Sequence, residues 1–165
     1  MGIFDVICSP LSIFNLLESV VDNCIRDNIY EPAIGSVVYC DLGAGFAEHS
    51  GIYVGKNRIV HLNGDGVIEK VSPKKFLNRL NGWNTAISIY VSCNNGEAVG
   101  SKRVSKLAKS MVGQRRNYDP VLDNCHQFTA GCLTGDFDNG YNFLTLLKDA
   151  VRNELNGDEW RVWNF

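Results

Sequence analysis

Five short segments between Gly35 and Val91 have the composition of β-strands, and they limit the folds that this chain can adopt. Each is rich in β-branched and aromatic residues, and Gly, Asn and Asp clusters separate them. The segments are SVVYC, GIYV, RIVHL, VIEKV and AISIYV. Together they predict an antiparallel sheet of about five strands, close to the usual sheet size.

Helical patterns lie on both sides of this β-rich region. Before it, Ser9 is a plausible N-cap, Pro10 suits the first helical position, and the apolar residues that follow recur at helical spacing. They are Ile13, Leu16, Leu17, Val20, Val21 and Cys24. After it, helices are predicted at about 104–112, 124–133 and 141–155. Runs of strands between runs of helices are typical of an α+β fold.

The length of the chain suits one hydrophobic core. With 165 residues, of which 45% are hydrophobic, we expect a single domain over 1–165. Its parts would be an amphipathic helix within 1–30, a core at 35–135, and a C-terminal helix and aromatic tail at 136–165. The tail carries Trp160, Trp163 and Phe165, which either close the core or contact a partner.

Charge and hydropathy argue against several classes of protein. The net charge is −2, and the 16 basic and 18 acidic residues form no run of like charge, so a nucleic-acid partner is not expected. No segment approaches the roughly 18 apolar residues of a membrane-spanning helix. The first basic residue is Arg26, too late for a secretory signal. We therefore expect a cytoplasmic protein, with export by a signal-independent route as the alternative.

The N-terminal helix leaves a second possibility for localisation, because amphipathic helices can also lie on a membrane surface. Its polar face carries Glu18 and Asp22 rather than lysines, which favours packing against the domain. Peripheral membrane contact therefore remains the weaker alternative. The oligomeric state is not indicated by any pattern in the chain.

The six cysteines are expected to be reduced thiols. They contain no CxxC pair, and the chain shows no secretory signal. Free cysteine is among the most buried residue types, so most of the six should be small core residues. They lie at positions 8, 24, 40, 93, 125 and 132.

His49 and His61 are twelve residues apart in two segments that should form a hairpin. Side chains alternate along a strand, so residues an even number apart share a face only if the loop has an odd number of residues. Burial of Ile52, Val54, Val60 and Leu62 on one face requires that odd loop. The two histidines then lie together on the opposite face, where they could orient one another or a third group.

Cys125 is predicted to lie at the start of a helix. If Asn124 is the N-cap, Cys125 is in the first turn and Gln127 is the N3 residue of a capping box. A thiol there meets unpaired backbone N–H groups and the positive end of the helix dipole, which lower its pKa. The position suits a nucleophile that an imidazole base could activate, with the Cys125 N–H helping to hold an oxyanion.

Two other interpretations of this cysteine stay open. Cys125, Phe128, Thr129 and Cys132 follow helical spacing and could form a buried stripe, which would pack the helix on the sheet and bring its Cys125 end to the histidine face. A zinc site of Cys125, His49 and His61 has acceptable ligand types, but no close-spaced ligand pair supports it, and we expect neither metal nor cofactor. His126 is a poor candidate for the base because it points elsewhere on the helix.

Two motifs in this order, HSGIYVGKNRIVHL and DNCHQF, resemble those of the lecithin:retinol acyltransferase family. The resemblance covers about 35–135, including the approach VGQRRNYDPVLDNC. It implies the permuted branch of the NlpC-type superfamily, with a papain-like α+β core. By motif position it also implies that Cys125 is the nucleophile, His49 the general base, and His61 the polar residue that orients the base.

What the resemblance implies about function is thiol chemistry on an acyl-donor substrate. We expect a cysteine acyl hydrolase or acyltransferase that forms an acyl-enzyme, with phospholipid or amide acyl groups slightly favoured. A cysteine peptidase or amidase acting on peptides is the first alternative. A catalytically inactive binding module of the same fold is the second.

Overall fold

The structure is a computed structural model, which describes residues 28–29, 31–42, 47–78, 88–117, 119 and 124–165. The predicted N-terminal helix, and Cys8 and Cys24 with it, lie outside the described residues. Within them, no helix is long and apolar enough to cross a membrane. None of the four cysteines in the described part of the chain forms a disulfide.

One antiparallel sheet forms the centre of the fold. The described residues supply seven strands, with neighbours in the order β4-β3-β2-β1-β5-β6 and with β7 also pairing with β5. The strands are β1 (Val37–Leu42), β2 (Ala47–Gly55), β3 (Arg58–Leu62), β4 (Ile68–Val71), β5 (Tyr90–Asn94), β6 (Glu97–Ala98) and β7 (Glu159–Val162). The helices are α1 (Pro73–Leu77), α2 (Lys102–Ser110), α3 (Cys125–Thr134) and α4 (Leu144–Leu155). The predicted α+β class is confirmed.

The two faces of the sheet bury different sets of residues. On one face the sheet packs against α2, α3 and α4, and we call this set the helix-side core. It includes Val37, Ile52, Val60, Leu62, Val104, Phe128, Cys132, Leu147 and Val151. On the other face the sheet packs against α1, and we call this set the α1-side core. It includes Val38, Cys40, Tyr53, Ile59, Val71, Phe76, Val91 and Trp163.

The hairpin between β2 and β3 reaches the predicted arrangement by a different route. Its loop has an even length, Lys56 and Asn57, and both residues have positive φ, 54° and 52°, as a type I′ turn requires. A bulge between Tyr53 and Gly55 adds one residue to β2. This extra residue has the same effect on side-chain directions as an odd loop would have had. The predicted face of each residue is therefore confirmed, although the predicted odd length of the loop is wrong.

The aromatic tail closes the fold. β7 pairs with β5, where Ser92 lies opposite Trp160. Trp160 and Trp163 are buried, on the helix-side and α1-side cores respectively. The sequence left open whether the tail closes the core or contacts a partner, and both tryptophans close the core. Phe165 stays 45% exposed.

Candidate active site

A capping box fixes the first turn of α3, as predicted. The Asn124 side chain accepts hydrogen bonds from the backbone N–H groups of His126 and Gln127, at 2.9 and 3.3 Å. The Gln127 side chain accepts in return from the Asn124 N–H, at 3.1 Å. Two further bonds hold these side chains to the following loop, where Asn124 donates to the Asn142 carbonyl and Gln127 to the Asn139 carbonyl. The helix therefore starts at a rigidly held residue, Cys125.

Cys125 meets the sheet at the strand that carries His49. Its sulfur lies 3.9 Å from the carbonyl oxygen of Glu48, the residue before His49 on β2. The stripe of α3 packs in the helix-side core, with Phe128 and Cys132 fully buried, and not on the face that carries the histidines. The first turn of α3 thus brings Cys125 to the backbone at the start of β2. The Cys125 side chain is 3% exposed.

His49 and His61 are in contact, as the parity argument predicts. Both are buried, and His49 Nε2 lies 3.1 Å from His61 Nδ1. Their ring centroids are 5.0 Å apart with the planes at 89°. Phe76 of α1 packs on both rings, with centroid separations of 4.9 Å to His49 and 5.6 Å to His61. The imidazoles therefore sit in a fixed mutual orientation.

Glu69 extends the histidine pair, and sequence reasoning missed it. It is the cross-strand partner of His61 on β4, and its Oε1 lies 3.5 Å from His61 Nε2. Lys75 donates to its other oxygen at 2.7 Å and Asn63 donates to Oε1 at 3.3 Å. Burial, the largest single influence, raises the pKa of Glu69, but Lys75, Asn63 and His61 together hold it below the ordinary value. The side chain is therefore an anion at neutral pH.

Two further carboxylates lie at the start of β2 and the facing end of β1. Glu48 pairs across the strands with Asp41. Burial, then the negative charge of Asp41, raises the pKa of Glu48, while Lys148 opposes this. Glu48 is therefore a weaker acid than an exposed glutamate.

Two other cysteines, Cys93 and Cys132, are fully buried. Burial raises the pKa of Cys132 to about 12, with only partial relief from the charge of Arg116. Burial also raises the pKa of Cys93 to about 12. Both thiols stay protonated at neutral pH, which agrees with their predicted role as core residues.

His126, next to Cys125, takes part in a series of side-chain hydrogen bonds. Its Nδ1 lies 2.9 Å from Ser50 Oγ, which donates to Thr129 Oγ1 at 3.1 Å, and Thr129 in turn donates to the Cys125 carbonyl at 2.8 Å. Each hydroxyl has one proton, and Ser50 and Thr129 both use theirs in these hydrogen bonds. Nδ1 of His126 must therefore be the donor to Ser50. The network ties the first turn of α3 to the residue after His49.

His126 should make stability depend on pH. Burial lowers its pKa from 6.5 to about 4, so between these values the unfolded chain binds a proton that the folded chain does not. The free energy of unfolding should fall as pH drops through this window, by up to about 3 kcal/mol. Urea unfolding at pH 7 and pH 4.5 measures the fall. The His126→Asn variant, whose amide can replace the Nδ1 donor, should lose less, and an identical fall in both proteins would contradict this assignment.

Comparison with known proteins gives one match. A family model described as lecithin retinol acyltransferase matches residues 30–138, which contain Cys125, both paired histidines and Glu69. No curated protein matches the chain. In the described part of the chain, no group of three or more His, Cys, Asp or Glu side chains is arranged to hold a metal ion.

Proposed function

Since the chain belongs to the lecithin retinol acyltransferase family, we propose that it is a thiol-dependent acyl hydrolase or acyltransferase. In this proposal Cys125 is the nucleophile, His49 the general base and His61 the residue that orients the base. The acyl donor is a phospholipid or an amide.

One observation carries the proposal. The Cys125 sulfur lies at the start of a capped helix, 3.9 Å from the carbonyl oxygen of Glu48. The residue after Glu48 is His49, whose Nε2 lies 3.1 Å from Nδ1 of His61. A nucleophile, a base and a group that orients the base are the parts that covalent acyl transfer needs. The helix N-terminus adds a local field that favours the thiolate.

The first half of the reaction forms a thioester. His49 takes the proton from the Cys125 thiol, and the thiolate attacks the acyl carbonyl carbon to give a tetrahedral oxyanion. The N–H groups of His126 and Gln127 already donate to the Asn124 side chain. We therefore assign the Cys125 N–H as the donor that stabilises the oxyanion. Collapse of this intermediate breaks the bond to the leaving alcohol or amine, which receives the proton from His49.

The second half releases the acyl group. His49 removes a proton from water or from an acceptor hydroxyl or amine, which attacks the thioester carbonyl and frees the Cys125 thiolate. The acceptor then carries the acyl group, and the proton on His49 returns to the sulfur. Hydrolase and transferase therefore differ only in which acceptor reaches the thioester.

Intact-protein mass spectrometry after incubation with mixed phospholipid vesicles tests the proposal. We expect an added mass equal to one acyl chain, which hydroxylamine removes because it cleaves thioesters and leaves amides intact. Peptide mapping should place the added group on Cys125. An adduct on any other residue, or one that resists hydroxylamine, would contradict the mechanism.

Two further outcomes separate the alternatives. If no lipid adduct forms but Cys125 is alkylated rapidly below pH 7, the thiol is activated and the donor is a peptide or another amide, which a peptide-fragment screen would identify. If Cys125 is also alkylated slowly, the chain is an inactive binding module of this fold. That last result would overturn the proposed function.

A further inference from the structure

The contact between His49 and His61 has only two arrangements of protons when both rings are neutral. Each neutral imidazole carries one N–H and one lone pair. In the first arrangement, Nε2–H of His49 donates to Nδ1 of His61 across the 3.1 Å contact, so His61 carries its proton on Nε2. In the second, Nδ1–H of His61 donates to His49, and His61 Nε2 carries a lone pair.

Glu69 distinguishes these arrangements because its Oε1 lies 3.5 Å from His61 Nε2. A carboxylate attracts an N–H at that position and repels a lone pair, and the repulsion is strong because the His61 side chain is 1% exposed. We infer that Glu69 is a positioning residue that holds both histidines as Nε2–H tautomers. The lone pair of His49 is then on Nδ1, and Nδ1 is the nitrogen that accepts the thiol proton.

Two contacts keep the Glu69 carboxylate in this position. Lys75 holds one oxygen at 2.7 Å and Asn63 approaches the other at 3.3 Å. Lys75 is placed by α1, whose N-cap Ser72 accepts from the Lys75 N–H at 3.3 Å. The same helix supplies Phe76, which packs on both imidazoles. α1 therefore fixes the carboxylate and the rings together.

The tautomers can be measured without any catalytic activity. The chain has only three histidines, so long-range ¹H–¹⁵N correlation spectra of the ¹⁵N-labelled full chain, recorded at a pH where the rings are neutral, resolve each one. We expect Nε2–H for His49 and His61, and Nδ1–H for His126, whose hydrogen-bond chain demands it. His126 is thus an internal reference for the other tautomer. Nδ1–H on His61 in the wild-type protein would overturn the inference.

Exchange of the two charges supplies the decisive variant. In the Glu69→Lys, Lys75→Glu double variant, a donor replaces the acceptor beside His61 Nε2, so both His49 and His61 should change to Nδ1–H. The matched control is Lys74→Glu, on the exposed neighbour in α1, which should leave all three tautomers unchanged. Retention of Nε2–H in the double variant would overturn the inference. If that variant does not fold, Glu69→Gln, which keeps the shape, should still raise the Nδ1–H population, and no increase would overturn it.

The catalytic consequence rests on the proposed function and has its own readout. In Glu69→Gln the negative charge that supports an imidazolium is lost, so the midpoint for Cys125 alkylation should move up by about 1 pH unit. Other charged groups lie near Glu69 and the two histidines. They are Lys75 from α1 beside Glu69, and Glu48, Asp41 and Lys148 near the start of β2. The variant leaves all of them in place. Changed tautomers with an unchanged midpoint would contradict the base role of His49 but not the role of Glu69.

Discussion

Replacement of Cys125 by serine is expected to lower acyl transfer by about 10³-fold or more. A serine hydroxyl is nearly the same size but ionises far above neutral pH, so the helix N-terminus cannot convert it to an anion as it does a thiol. Turnover of the donor identified by mass spectrometry measures the loss. The acyl adduct should disappear from the same variant.

The matched control for this substitution is Cys132→Ser. Cys132 lies on the same helix, is fully buried, and is kept protonated by a pKa of about 12. Its substitution should lower stability by about 1 to 3 kcal/mol because it buries a hydroxyl, while the turnover per folded molecule stays at the wild-type value. Equal losses of turnover in both variants would show that the effect is structural, and the role of Cys125 as nucleophile would fail.

The second large effect expected is on stability, from Gly35→Ala. Gly35 has φ of +88°, and a Cβ added there would lie 1.9 Å from the backbone carbonyl oxygen of Ser101, the N-cap of α2. Backbone atoms cannot rotate away as a side chain can, so either β1 or α2 must move. We expect a loss of about 3 to 5 kcal/mol in the free energy of unfolding.

Two other glycines separate the causes of that loss. Gly113 also has positive φ, +91°, but its added Cβ meets nothing within 4 Å, so Gly113→Ala should cost about 1 to 2 kcal/mol from backbone conformation alone. Gly64 has neither feature, and Gly64→Ala should stay within about 0.5 kcal/mol of wild type. Urea midpoints for the three variants give the ranking. A Gly35→Ala midpoint equal to that of Gly113→Ala would contradict the close approach to Ser101.

Local patterns predicted the parts of the site that depend on local physics. Asn124 and Gln127 are three residues apart, and a capping box needs nothing beyond that spacing, so the start of α3 followed directly from the chain. The alternation of apolar residues placed His49 and His61 on one face, because a strand's pleat is the same in any sheet. The face assignment holds although the hairpin loop has an unexpected length, because the bulge in β2 compensates for it.

Features that depend on distant pairing were not predicted. β7 pairs with β5 although about 65 residues separate them, and no local pattern shows which strand will add a neighbour. The five residues of α1 are too few for a periodic signal, although Ser72 and Pro73 are a recognisable helix start. The turn at Asn95 and Gly96, both with positive φ, leads into β6, whose two residues are too few to show an alternating pattern. The position of Glu69 beside His61 can be recognised only when the pairing of β4 with β3 is known.

Side chains of β2 point alternately to the two faces of the sheet, so the register of the strand decides which residues face the helix-side core and which face the α1-side core. Glu48 offers its carbonyl to the thiol, Ser50 bonds to α3 through Thr129, and His49 between them points to the layer that contains Phe76. A shift of β2 by one residue would turn the His49 imidazole away from His61 and the Ser50 hydroxyl away from Thr129. A single inserted or deleted residue before Ser50 would therefore dismantle the site while leaving every one of its residues in the chain.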